Sequence, residues 1–133
     1  MKATTFFAVA FAAAIAVGSS AAQAGDAAAG EKVFARCKSC HSVGKGEAHR
    51  VGPNLHGVVG RKCASTDFPR YSAGLKACAA KGAAWDAASL GAYIPDAAGY
   101  LDKTYGAKGA GMTPQKLDAT QLADVIAYLE SLK

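Results

Sequence analysis

The chain has 133 residues, a formal net charge of +5 and four cysteines, which suits a single domain. Its 51% of hydrophobic residues overstates the core. Alanine accounts for 32 of them, and from Gly25 onward only 20 of 109 residues are Val, Ile, Leu, Met, Phe or Trp, while 14 are Gly. These figures argue against a large enzyme, a multi-pass membrane protein and a self-sufficient apolar core, so buried bulk must come from disulfides, a metal or an organic cofactor.

In chain order, Lys2, the apolar run over residues 6–17 and Ala22-Gln23-Ala24 have the layout of a secretory signal peptide. The run is shorter than the about 20 apolar residues a membrane span needs. Residues 1–24 are therefore expected to be cleaved after Ala24, leaving a domain over 25–133 in an oxidising, exported compartment, with no membrane insertion. Residues 26–36 read as a helix capped by Asp26, with Gly30, Val33, Phe34 and Cys37 on one side. Residues 44–61 hold five glycines and a proline and read as loop, with at most a short extended piece at Val58-Val59. A short helix is expected near Ala73–Ala80, another over 85–94 stopped by Pro95, and a third over Ala97–Tyr105. Residues 106–114 form a glycine-rich loop. Asp118 and Gln121 make a capping box, and Leu122, Val125, Ile126, Leu129 and Leu132 mark the apolar face of a last helix. The expected fold is all-α, with four to five helices and long loops.

Charge is uneven. Residues 25–82 hold ten Lys/Arg and four Asp/Glu, against four and six in residues 83–133. The basic half also holds Cys37-Lys38-Ser39-Cys40-His41, the C-x-x-C-H pattern of covalent c-type haem attachment. Residues three apart share a face of a helical turn, so the two thiols can reach the two vinyl groups on one porphyrin edge. His41 is then carried beneath the ring, where a neutral imidazole is a good iron ligand. A thioredoxin-like dithiol would need alternating strands and helices. A zinc site would need a second close pair, and Cys63 and Cys78 are fifteen apart. For the sixth iron position, Met112 stands in the flexible loop, and a thioether favours Fe(II). His49, His56, a lysine or an open site are the alternatives on pattern alone.

Taken together, these residues resemble the class I c-type cytochromes, most nearly the bacterial cytochrome c2 and mitochondrial cytochrome c group, over essentially all of residues 25–133. Gly30-x-x-x-Phe34, the haem motif, the stretch from Gly52-Pro53-Asn54-Leu55 to Gly60-Arg61, then Tyr71, Trp85, Leu90, Tyr93, Tyr100 and residues 124–129 follow in family order. The resemblance implies one covalent haem c, held by thioethers from Cys37 and Cys40, with His41 and Met112 as axial ligands. It implies that the Pro53 carbonyl accepts Nδ1–H of His41. Arg61, Tyr71 and Trp85 would hold a haem propionate, Tyr93 would lie near the Met112 sulfur, and Leu55, Leu90 and Leu117 would pack on the ring. Gly30 and Phe34 would meet Val125 and Tyr128 where the terminal helices cross. His49 and His56 are expected at the surface. Two departures stand out. The methionine loop, Lys108-Gly-Ala-Gly-Met112, is looser than the family's Lys-Met. Cys63 and Cys78 are additional, and in an exported protein they are expected to form a disulfide.

The implied function is that of a monomeric periplasmic one-electron carrier, not an enzyme and with no nucleic-acid partner. Lys38, Lys45 and Lys108 would steer it to acidic partners. The implied donor is a membrane cytochrome bc complex, and the acceptor a photosynthetic reaction centre or a terminal cytochrome oxidase. A labile Met112 would instead suit a binder or sensor of nitric oxide or carbon monoxide. A dedicated redox subunit of a periplasmic dehydrogenase is the third reading.

Overall fold

The computed structural model describes residues 24–133. The expected signal peptide, apart from Ala24, lies outside the described residues. The described residues form five helices: α1 (Ala27–Phe34), α2 (Ala73–Ala80), α3 (Ala87–Tyr93), α4 (Ala97–Tyr105) and α5 (Ala119–Ser131). All five begin on a side-chain cap, from Asp26, Ser72, Asp86, Asp96 and Asp118. Such caps contribute about 1 kcal/mol each, which matters in a chain this poor in large apolar residues. Asp118 and Gln121 form the expected capping box. Asp86 and Ser89 form a second one, which the sequence reading passed over.

The terminal helices α1 and α5 cross where Gly30 meets the backbone of Asp124; a side chain at Gly30 would overlap the Asp124 carbonyl. Beside the crossing, Phe34 and Tyr128 rings lie 5.4 Å apart, and the Asp26 amide donates to Asp124 Oδ1 at 2.7 Å. Phe34, Leu101, Val125 and Cys78 are the largest fully buried side chains. At the other end, Gly74 lets α2 sit on Leu101 of α4 and on the carbonyls of Ala107 and Gly109.

Two expected helices are shorter than their patterns. After Phe34 the α-helix tightens, with the amides of Ala35, Arg36 and Cys37 bonding three residues back. The helix expected over 85–94 begins at Ala87, because Asp86 caps it. Trp85 is extended instead: its amide donates to the Arg61 carbonyl at 2.9 Å and its carbonyl accepts from Gly60 at 2.6 Å. An antiparallel bridge pairs Lys62 with Ala84, so the extended pairing lies just past Val58-Val59 rather than at it. This strip ties the long loop to the start of α3. Among the described residues no helix is long and apolar enough to cross a membrane.

Candidate functional site

The turn after α1 carries the two unpaired cysteines. The amides of Cys40 and His41 both donate to the Cys37 carbonyl, at 3.0 and 2.9 Å, so Cys37 and Cys40 stand one turn apart with His41 next in line. Burial pushes the Cys37 thiol up, more than Arg36 pulls it down. A redox-active dithiol needs the opposite shift. His41 Nδ1 lies 2.7 Å from the Pro53 carbonyl oxygen. It therefore carries the proton and donates it, leaving the lone pair on Nε2. Burial holds this imidazole below its usual range, against the Pro53 bond that raises it, and Arg61 adds to the lowering. The ring is thus neutral, as a metal ligand must be. Gly52 passes so close to the imidazole that any side chain there would strike His41 Cε1.

His41 opens onto a cavity of about 360 Å³. Its wall brings together Cys37, Cys40, Pro53, Leu55, Arg61 and Tyr71 with Trp85, Leu90, Tyr93, Met112 and Leu117. Residues as far apart in sequence as Cys37 and Leu117 thus face one space. Apolar walls come also from Phe68, Leu75, Ile94, Ala110 and Leu129, none of which was expected at the cofactor. Met112 is half-buried, on a loop whose neighbours Gly109 and Gly111 have φ of 92° and 68°. That loop is pinned by the buried Ala110, by the Gln115 amide on the Ile94 carbonyl at 3.1 Å, and by Arg36 on the Lys116 carbonyl at 3.1 Å.

The cytochrome c family profile matches residues 27–133. The chain belongs to the cytochrome c family. It is 44% identical over 111 residues to cytochrome c-550 of Novispirillum itersonii, covering 82% of this chain and 100% of that one. It is 42% identical over 131 residues to cytochrome c2 of Rhodospirillum rubrum, covering 96% and 97%. The structure of cytochrome c2 from Rhodobacter sphaeroides superposes with a TM-score of 0.74 at 34% identity, covering 81% of this chain and 96% of that one. The fold is that of the class I c-type cytochromes.

The cofactor of this cytochrome is one covalently bound haem c, and the site fits it. Packed interiors tolerate few voids larger than a water molecule, whereas about 360 Å³ falls within the usual range of cofactor sites, roughly 300–1,000 Å³. The shortage of large apolar residues is thereby explained. The wall also supplies two adjacent thiols suited to covalent attachment of the porphyrin, and a neutral imidazole and a thioether suited to its iron.

Three expectations meet a different arrangement. Arg61 donates to the carbonyls of His56 at 3.1 Å and Asn54 at 3.0 Å, so it braces the loop as well as facing the cavity. Tyr71 hydrogen-bonds Thr66. His49 and His56 are half-buried where they line a surface pocket. His56 Nδ1 donates to the Val43 carbonyl at 3.0 Å, and His49 bonds both Asn54 and Asp67. Of the three expected lysines, Lys38 sits in the Cys37–Cys40 turn. Lys45 and Lys108 are exposed but do not line the cavity, whose basic wall is Arg36, Arg61, Lys62 and Arg70.

Asn54, named in the matched stretch but given no role, is buried in the loop. Its side chain donates to the carbonyls of Gly44 and Glu47 and accepts from the His56 amide. The signal was its place directly after Pro53 in the matched Gly-Pro-Asn-Leu stretch. Cys63 and Cys78 form a disulfide with Cα atoms 5.8 Å apart, and both residues are buried.

Proposed function

We propose that this cytochrome is a one-electron carrier exported to the periplasm, its signal peptide removed after Ala24. Haem c supplies a reversible Fe(III)/Fe(II) couple. Cys37 and Cys40 would hold it by thioethers, and His41, through Nε2, and Met112, through its sulfur, would ligate the iron. Arg61, Tyr71 and Trp85 hold a propionate, which a buried carboxylate requires. The observation that carries the reading is the Pro53 carbonyl 2.7 Å from His41 Nδ1, on a wall that also holds both thiols and Met112. With both of these side chains on the iron, no site on the metal would be left for a substrate.

Docking is transient and salt-sensitive. The two ion pairs among the described residues involve no lysine, so the lysines are free to meet acidic partners. Val51, 64% exposed, lies on the cavity wall beside the guanidinium of Arg70, an apolar spot with positive charge at its edge. A membrane cytochrome bc complex is the proposed donor, and a photosynthetic reaction centre or terminal oxidase the acceptor.

Carbon monoxide titration of the reduced protein tests the reading. A six-coordinate carrier leaves the spectrum unchanged at neutral pH, and Met112→Ala removes the Met–iron charge-transfer band and admits the gas. Rapid, complete binding by the unaltered protein would sink the proposal in favour of a ligand sensor.

A further inference from the structure

Two hydrogen bonds meet on one peptide group, and a third extends the line they form. The Pro53 carbonyl accepts Nδ1–H of His41 at 2.7 Å. The N–H of that same peptide, on Asn54, donates to Nδ1 of His49 at 2.8 Å. A backbone N–H can only donate, so His49 Nδ1 is unprotonated and its proton sits on Nε2. Nε2 lies 2.7 Å from Asp67 Oδ1 and donates to it. An unbroken line of bonds thus runs from His41 through a peptide and a second imidazole to a carboxylate whose side chain is 96% exposed.

We infer that His49 and Asp67 are positioning residues that raise the electron-donating strength of His41 through the Pro53–Asn54 peptide, and so lower the midpoint potential. The inference rests on His41 being the iron ligand proposed above. Linked hydrogen bonds polarise one another, by about 10–30% per bond. A carboxylate accepting from Nε2–H makes Nδ1 of His49 a better acceptor. A better-held Asn54 N–H moves electron density onto the Pro53 oxygen. That oxygen then grips Nδ1–H of His41 more firmly, giving the ring imidazolate character that favours Fe(III). Carboxylates that contact a metal-bound histidine directly act in this way; here a peptide and an imidazole stand between.

The segment bearing Asp67 is built to stay in place. Phe68 is buried, with its ring edge-on to His49 at 5.5 Å and to Tyr71 at 5.1 Å. Thr66 is bonded to Tyr71, and the Cys63–Cys78 disulfide fixes the segment's start. The His49 bond holds the Asp67 carboxyl below its usual range. Glu47, His56 and Arg61 line the same surface pocket, and Arg70 lies over the Phe68 ring. Only Asp67 bonds to the His49 side chain among these.

The test compares Asp67→Asn with Glu47→Gln in the haem-loaded protein. Each removes one exposed negative charge beside the same pocket, but only Asp67 is in the line. Two quantities are read: the midpoint potential, and the proton resonance of His41 Nδ1–H in the reduced state. The expected result is a larger rise in potential for Asp67→Asn than for Glu47→Gln, with an upfield shift of the His41 proton in Asp67→Asn alone. Equal rises with an unmoved proton would reduce the effect to through-space charge and overturn the inference. The oxidised protein separates the two claims. Hyperfine-shifted His41 ring protons confirm ligation, and their absence would overturn the axial assignment and this inference with it.

Discussion

On one side of the cavity, His41 stands at the head of residues 41–61, where nearly every polar side chain is bonded to backbone: Ser42 to Ala48, Asn54 to Gly44, Glu47 and His56, and Arg61 to Asn54 and His56. On the other side, Met112 hangs on residues 106–118, tied to the rest of the fold by the Gln115 amide, the Arg36 guanidinium and the buried Ala110. Neither stretch is regular structure until α5 begins, yet their stiffness differs. The histidine side is held by many more side-chain hydrogen bonds than the methionine side. With the ligands proposed above, such a cytochrome would keep its imidazole in place while mutation acts first on the thioether.

Five changes would break or sharpen that contrast, the largest first. Replacing Cys37 and Cys40 together with serine should abolish covalent haem. A chain with so few large apolar residues should then lose cooperative unfolding, read by haem staining of denaturing gels and by circular dichroism. On the histidine side, Asn54→Ala removes three hydrogen bonds, at about 1 kcal/mol each, so urea unfolding should show a loss of about 3 kcal/mol. Replacing Cys63 and Cys78 together should cost a similar amount, since a loop of 15 residues is worth about 3 kcal/mol in the chain-entropy model. If either change costs less than about 1 kcal/mol, the rigid side is not rigid for the reasons given.

Tyr93 gives a pH handle on the α3 wall. Burial pushes its hydroxyl up to about 12 from an ordinary 10. Between those values the folded protein keeps a proton that the unfolded chain has released. Its contribution is therefore fully present below pH 10 and is lost as pH rises to about 12, a fall of about 2–3 kcal/mol. Tyr93→Phe should flatten that fall, and identical alkaline profiles for the two proteins would contradict it. The smallest effect belongs to the methionine side. Gly111 has a φ of 68°, so Gly111→Ala should cost about 1 kcal/mol while weakening the Met–iron charge-transfer band. A large loss of stability with an unaltered band would reverse the contrast.

The legible parts of this molecule are those set by short-range rules. The C-x-x-C-H turn, the Asp118–Gln121 box and the stripe on α5 depend on residues three and four apart, and the helices lie close to where those spacings put them. What stayed hidden depends on distant partners within irregular backbone. Nothing near His49 in sequence announces Asp67. Asn54 acts through carbonyls of a loop whose course no periodicity describes. Trp85 looked helical because its neighbours are good helix formers, but pairing with residues 60 and 61 took its backbone instead.

The Cys63–Cys78 bond carries a consequence for how the protein is made. On the function proposed above, the newly exported chain would hold four thiols with two opposite fates: Cys37 and Cys40 would have to stay reduced to be alkylated by haem, while Cys63 and Cys78 are oxidised. Any pairing across the two sets blocks both outcomes. In the folded chain the sets are segregated, with Cys63 and Cys78 only 2% and 0% exposed and Cys37 and Cys40 on the cavity wall. Maturation is thus a sorting problem that folding helps to solve: once Cys63 and Cys78 are paired and enclosed, a reductant can keep the other two ready for haem without undoing them.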